Sequence, residues 1–372
     1  MEFTVSKSEL VRELGLSQGV VEKKTTIPIL SNILVEAEGD RIVLTATDLE
    51  LGIRCSCPAR VTKPGAGTIP ARRLLDYVRL LPDSDIQVKV GDNQWASFVC
   101  GRSRTRIAGM SRESFPELPE MPDVLAEIPV SLLTTMIQKT IFAISAEESR
   151  FTLNGAQLLV RPEGLVMVAT DGHRLSLVEE NVNLSLDGST YKALLPRKAM
   201  QEILKLAGEA ENDARIRFAG DDNHLFFELG DRMLLSRKLT GNFPDYERVL
   251  PKEQPLSVTL ARVEFRAAIE RVAQFADERS RAIKVQLLPG EIKILANQSE
   301  TGESEESIPV EYGGPQVEIG FNAQYLLEFL RAVTVDSVEF RFRDGQSAGE
   351  MRPVVTDNSI ETYRYVIMPM RI

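Results

Sequence analysis

Leu195-Pro-Arg-Lys-Ala-Met-Gln-Glu-Ile-Leu-Lys-Leu-Ala207 has two counterparts in the same chain. Upstream lies Ile69-Pro-Ala-Arg-Arg-Leu-Leu-Asp-Tyr-Val-Arg-Leu-Leu81, and downstream Phe321-Asn-Ala-Gln-Tyr-Leu-Leu-Glu-Phe-Leu-Arg-Ala-Val333. Pro70, Pro196 and Asn322 stand 126 positions apart. Leu74, Met200 and Leu326 fall in register, as do Val78, Leu204 and Leu330, and Leu81, Ala207 and Val333. Apolar side chains at this spacing mark the buried face of an amphipathic helix. Arg79, Lys205 and Arg331 occupy the other face. Asp76, Glu202 and Glu328 precede them by three residues, so i,i+3 pairing is expected within each helix. An interval of this length means one folding unit used three times.

The rest of the chain follows the same period. Each third begins with a short strand and a helix, at about Ser8 to Val20, Ser131 to Ser145 and Ala261 to Ala276. Alternating segments follow, such as Arg41-Ile-Val-Leu-Thr45, Gly164-Leu-Val-Met-Val168 and Glu291-Ile-Lys-Ile-Leu295, and period-two alternation is the strand signature. Pro-rich exits, Phe115-Pro-Glu-Leu-Pro-Glu-Met-Pro122 and Phe243-Pro-Asp-Tyr-Glu-Arg-Val-Leu-Pro251, close the first two thirds. The expectation is an α+β protein of three repeated domains, 1–126, 127–255 and 256–372, each with antiparallel sheet and two helices.

At 372 residues one core is too small, and three domains of about 120 residues suit the usual range. A net charge of −10 does not exclude nucleic acid, because a phosphate backbone needs only a local positive surface. Met1-Glu-Phe-Thr-Val5 reads directly into strand without a leader pattern, and no apolar run is long enough to span a bilayer. Cys55, Cys57 and Cys100 form no paired framework, as expected of reduced thiols in the cytoplasm.

Chemistry is sparsely represented. Thr170-Asp-Gly-His-Arg-Leu175 is the most polar cluster, and Asp171 with His173 can be cast as an acid–base pair of a hydrolase. The alternative is an Asp-Gly turn leaving a strand. The first repeat favours the turn, since Ala46-Thr-Asp-Leu-Glu-Leu51 keeps Thr-Asp and has no histidine. No phosphate-binding loop, nucleophile elbow or zinc-ligand spacing occurs, so neither metal nor cofactor is expected. Tyr365-Val-Ile-Met-Pro-Met-Arg-Ile372 is apolar to its end; it is either a buried last strand or an adaptable recognition surface.

Thr170-Asp-Gly-His-Arg-Leu175, Phe243-Pro-Asp-Tyr246 with Arg248-Val-Leu-Pro251, Leu194-Leu-Pro-Arg-Lys198 and Val366-Ile-Met-Pro-Met-Arg-Ile372 resemble the bacterial DNA polymerase III β subunit, the sliding-clamp family. The resemblance spans the whole chain. It implies a ring of two chains, head to tail, that encircles duplex DNA without reading its sequence. It implies no catalysis, a separate clamp loader, and tethering of the polymerase α subunit and other clamp-binding proteins. Lys24, Arg73, Arg79, Arg150, Phe151, Arg197, Lys198 and Lys205 are then the expected DNA contacts. Leu153, Thr170, Gly172, His173, Arg174, Leu175, Pro244, Arg248, Val249, Val366, Ile367, Met368, Pro369, Met370, Arg371 and Ile372 are the expected partner-peptide groove, between the second and third domains. Thr105, Ile107, Gln274 and Phe275 are expected at the subunit seam. A peptide hub that ignores DNA remains a lesser alternative, and the repeated cations speak against it.

Overall fold

The computed structural model describes residues 1–21, 26–184, 190–208, 210–211, 213–298, 302–355 and 361–371. Its α-helices are α1 (Lys7–Ser17), α2 (Ala71–Leu80), α3 (Val130–Thr140), α4 (Arg197–Ala207), α5 (Arg262–Val272) and α6 (Ala323–Ala332). The starts of α2, α4 and α6 keep the 126-residue interval. Local signals set these starts. Ser6 Oγ accepts the Glu9 N–H ahead of α1, and Asn322 Oδ1 accepts the Gln324 N–H ahead of α6, so each cap satisfies a donor that the helix cannot. Apolar faces then fix the packing. Leu74, Leu75 and Val78 of α2 and Leu326, Leu327 and Leu330 of α6 are buried, each contributing about 1.5–3 kcal/mol relative to an exposed side chain.

The second repeat departs from the expected register. Leu204 and Ala207 are only half-buried, and Ile203 and Leu206 fill the core instead. The i,i+3 charge pairing holds only there, with Lys205 Nζ 2.6 Å from Glu202 Oε1. In α2 the ion pair is Arg72–Asp76, and Arg331 of α6 turns to Glu270 of α5 at 2.9 Å.

The chain packs as two units, residues 1–134 with 198–238, and residues 135–197 with 239–372. Unit 1 holds a five-stranded sheet, in the order Arg60–Lys63, Glu2–Ser6, Asp85–Val90, Trp95–Cys100, Ser103–Ala108. Its second sheet has eight strands: Ala126–Pro129, Arg215–Gly220, His224–Leu229, Arg232–Arg237, Leu51–Pro58, Arg41–Thr47, Asn32–Glu38 and Gly65–Pro70. In unit 2 the eight-stranded sheet runs Tyr191–Pro196, Gly155–Arg161, Gly164–Thr170, Arg174–Asn181, Glu361–Ile367, Gly349–Pro353, Ser337–Phe342, Leu256–Ala261. The order of its four-stranded sheet is Gly302–Pro309, Glu291–Gln298, Ala282–Leu288, Val317–Asn322. The assigned strand pairs within these sheets are antiparallel.

Both eight-stranded sheets join strands from different repeats. Leu234 pairs with Ile53 in unit 1, and Val366 with Leu175 in unit 2. The last strand is therefore sheet core, and Val366 and Ile367 are fully enclosed. In unit 1 a buried ion pair adds a directional contact. Arg232 donates to both carboxylate oxygens of Glu13, at 2.7 and 2.9 Å, and Arg12 Nε adds a third bond at 2.8 Å. Burial alone would push the Glu13 carboxyl up, but the bonds from Arg232 and Arg12 outweigh it and hold it below the ordinary carboxylate value. Cys55, Cys57 and Cys100 are buried free thiols.

Candidate functional site

The described residues expected to form the groove cluster in unit 2 around one turn. Thr170 Oγ1 donates to the Arg174 carbonyl at 2.6 Å and accepts the Gly172 N–H at 3.1 Å. Asp171 Oδ1 accepts the backbone N–H groups of His173 and Arg174 at 2.9 and 3.0 Å. Gly172 sits at φ 89°, in the left-handed region that a side chain disfavours. The Asp171 carboxylate is thus committed to its own turn and, through Oδ2, to Arg174 Nε at 3.1 Å. It makes no bond to the His173 ring, so the acid–base pair does not form. Among the described residues no group of three or more His, Cys, Asp or Glu could hold a metal.

Behind the turn, Leu175, Val366, Phe243 and Tyr246 belong to one apolar cluster, against which Leu153, Leu239, Leu250 and Ala348 pack half-buried. Met368 donates its N–H to the His173 carbonyl at 2.8 Å, and Met370 donates to Gly320 at 2.8 Å, which ties the tail across the turn. The exposed lip consists of His173, Pro244, Arg248, Val249, Met368 and Arg371, with Pro369 and Met370 half-covered. The expected groove residues therefore divide into two kinds. Thr170, Arg174, Leu175, Val366 and Ile367 are buried and support the lip from behind. Sequence reasoning missed Leu239, Leu250 and Ala348; Leu239 and Leu250 flank the Phe243–Tyr246 motif and were the only available signal. Ile372 lies outside the described residues.

Arg174 is 7% exposed and braces this corner of unit 2. It pairs with Asp171 and Glu328, donates to the Phe142 carbonyl, and lies 4.2 Å from the Tyr325 ring centroid. Burial works against its charge. The Tyr365 hydroxyl and the Glu328 carboxylate more than compensate, so its pKa stands above the ordinary arginine value. Tyr365, wholly buried, donates to the Tyr325 carbonyl at 2.9 Å, and burial pushes its phenol up.

The expected DNA contacts are of three kinds. Arg73 and Arg79 project from α2 and are exposed, with no carboxylate partner among the described residues. Lys198 and Lys205 are exposed cations of α4 already bound to buried carboxylates, Asp48 and Glu202. Arg150 and Phe151 stand on a loop in unit 2. Arg150 donates to the Asp171 carbonyl at 2.9 Å and pairs with Glu147 at 2.9 Å, while Phe151 is 71% exposed. Arg197 is half-buried, its backbone N–H bonded to Asn154 at 3.1 Å. Lys24 lies outside the described residues.

The residues expected at the seam lie on or near strands that end their sheets. Thr105 and Ile107 lie on Ser103–Ala108, which ends the five-stranded sheet. Ile107 is buried within its own unit, Thr105 half-buried, and Arg106 stacks 5.0 Å over Trp95. Gln274 and Phe275 are exposed on the turn after α5, in the unit whose four-stranded sheet ends with Gly302–Pro309.

Models of the DNA polymerase III beta subunit match the N-terminal domain at residues 1–119, the central domain at 127–245 and the C-terminal domain at 247–371. The chain is 36% identical to the beta sliding clamp of Pseudomonas aeruginosa over 375 residues, covering all of both chains. It is 34% identical to that of Chlamydia muridarum, covering all of this chain and 99% of the other. A crystal structure of the Pseudomonas aeruginosa clamp bound to griselimycin superposes with TM-score 0.93 at 36% identity over both full chains. The Bacillus subtilis clamp gives 0.93 at 26% identity, covering all of this chain and 99% of that one.

Proposed function

The chain belongs to the DNA polymerase III beta subunit family, and from that premise we propose how its parts serve a clamp. It is a processivity factor for DNA polymerase III with no chemistry of its own, and DNA, the polymerase and a second copy of the chain are its partners. Its repeats act as three domains, 1–126, 127–255 and 256–372. Two chains close head to tail through the Ser103–Ala108 edge of one and the Gly302–Pro309 edge of the other. A clamp loader opens the ring in the cytoplasm. Among the described residues no helix is long and apolar enough to cross a membrane.

The observation that carries this reading is the opposite charge of those two edges. Arg104 and Arg106 are exposed on the first, and Glu303 and Glu305 on the second. An unpaired edge is a liability that pairing with a second chain removes, and a head-to-tail contact closes into a ring where the rotation permits. Arg73, Arg79, Lys198 and Lys205 then meet phosphates, which gives binding without sequence preference and a steep dependence on salt. Enclosure supplies processivity that tight binding would defeat. The lip formed by His173, Pro244, Arg248, Val249 and Met368 receives partner peptides, the polymerase α subunit among them.

The test is retention on DNA. The chain is loaded by a clamp loader with ATP onto nicked circular plasmid and passed through a sizing column. Retention on the circle with release on linearisation is expected. Equal retention on both forms, or a monomer at micromolar concentration, refutes the ring.

A further inference from the structure

The four bonds between the Thr and Asp side chains and the backbone of the unit 2 turn recur in unit 1. Thr47 Oγ1 donates to the Leu51 carbonyl at 2.8 Å and accepts the Leu49 N–H at 3.0 Å. Asp48 Oδ1 accepts the N–H groups of Glu50 and Leu51 at 2.9 and 2.6 Å. Each turn leads into a strand paired across repeats, Leu51 with Ser236 as Arg174 with Ile367. Pro116 follows Phe115 as Pro244 follows Phe243.

Beside the Thr47–Leu51 turn is an open cavity of about 340 Å³, walled by Leu49, Pro116, Leu118, Leu235 and Arg237. That volume lies within the usual range of ligand pockets. Leu235 holds the register of Val366, and Arg237 that of Met368. The backbone adds a second, independent sign. Where the groove has Gly172, this turn has Leu49 at φ 77°, and the leucine is 50% exposed on the cavity wall. A bulky residue in the left-handed region is strained, and such strain is concentrated at ligand clamps.

Charge identifies the occupant. Glu50 stands where the groove has His173, and Glu117 where it has Asp245. Asp245 is neutralised by Arg248 at 2.8 Å, and Glu50 by Arg237 at 3.1 Å. Arg112, however, is shared between Glu36 at 3.5 Å and Glu117 at 4.0 Å, and the Glu117 side chain is 89% exposed. Among the charged residues that line the cavity, Glu50, Glu117 and Arg237, one carboxylate is in surplus. We propose that unit 1 carries a second peptide-docking site, which takes a short linear segment with an apolar anchor beside a cationic side chain. The proposal rests partly on the groove reading, and variants in each place separate the two.

The probe is a fluorescein-labelled peptide, Gly-Lys-Lys-Leu-Phe-Lys-Gly-Gly, titrated with the full chain by fluorescence anisotropy. Saturable binding is expected. Leu49→Gly suits the left-handed backbone and keeps the fold, yet weakens binding by about tenfold through loss of the apolar wall. Glu117→Lys weakens it similarly and gains affinity for the same peptide with glutamates in place of lysines. Val249→Glu, in the other groove, leaves a site of unchanged affinity. No saturation at roughly millimolar chain, the weak end of measurable affinity, overturns the proposal. So does binding that neither Leu49→Gly nor Glu117→Lys alters. Complete loss in Val249→Glu alone assigns the peptide to the groove and overturns it equally.

Discussion

Replacing Arg174 by glutamine separates bracing from peptide contact. The guanidinium is buried and serves Asp171, Glu328, the Phe142 carbonyl and the Tyr325 ring together. Removing one member of a buried ion pair costs about 3–5 kcal/mol, because the remaining charge stays desolvated. Asp171 and Glu328 retain 13% and 25% side-chain exposure, so water recovers part of this. A loss of about 2–4 kcal/mol is the working figure. With a urea m-value of about 2 kcal/mol/M, the transition of unit 2 moves down by roughly 1–2 M. Urea titration followed by circular dichroism measures it, and anisotropy with a polymerase-derived peptide reports on the groove. Affinity should fall together with stability, because the turn holding His173 loses its brace. His173→Ala, at an exposed position, should change affinity with stability held within about 0.5 kcal/mol. An unchanged midpoint in Arg174→Gln with peptide binding lost would show that Arg174 touches the peptide, and the bracing argument would fail.

Arg73→Gln with Arg79→Gln should leave the melting temperature unchanged and flatten the log K against log salt slope for DNA by about 1.8, or 0.9 per lost phosphate contact. Lys205→Glu is a poorer probe, since it sets a carboxylate beside buried Glu202. Glu13→Gln should destabilise unit 1 by about 3–5 kcal/mol at neutral pH. The folded carboxyl titrates below its unfolded value, so its stabilisation is present above pH of about 4.3 and is lost as pH falls through the lower folded pKa. Melting temperature against pH should therefore fall less on acidification in the variant than in the parent. Burial pushes the Cys57 thiol up to about 12 and raises that of Cys55 further, so a thiol reagent at pH 8 should leave both unmodified until the chain is unfolded.

The helices could be read from sequence because a 3.6-residue period is a local property. So could the Thr170–Arg174 turn, since Thr, Asp and Gly each answer a need of that backbone. Pairing between repeats could not. Leu175 meets Val366 through backbone bonds that leave no mark on nearby residues. Val366 and Ile367 can be read either as a buried strand or as an adaptable surface, because a strand covered on both faces loses polar alternation and reads as an apolar tail. The resemblance counts Arg174 among the groove residues, and nothing local in the sequence marks it as buried, since arginine is usually exposed. Its burial depends on Glu328 and Tyr325, which arrive from another repeat. Leu204 is only half-buried, since within the same helix α4 the buried positions go to Glu202, Ile203 and Leu206.

Pairing across repeats also constrains how the protein is made. The strand Arg174–Asn181 gains its second neighbour only when Glu361–Ile367 emerges, roughly 180 residues later, which at 5–20 residues per second is on the order of 10–40 s. During that interval the ribosome carries a chain with an unsatisfied strand edge, open to nascent neighbours on the same message. Stop codons that remove only the last dozen residues should therefore be as damaging as those in mid-gene, and slow codons late in the message should raise aggregation more than slow codons early.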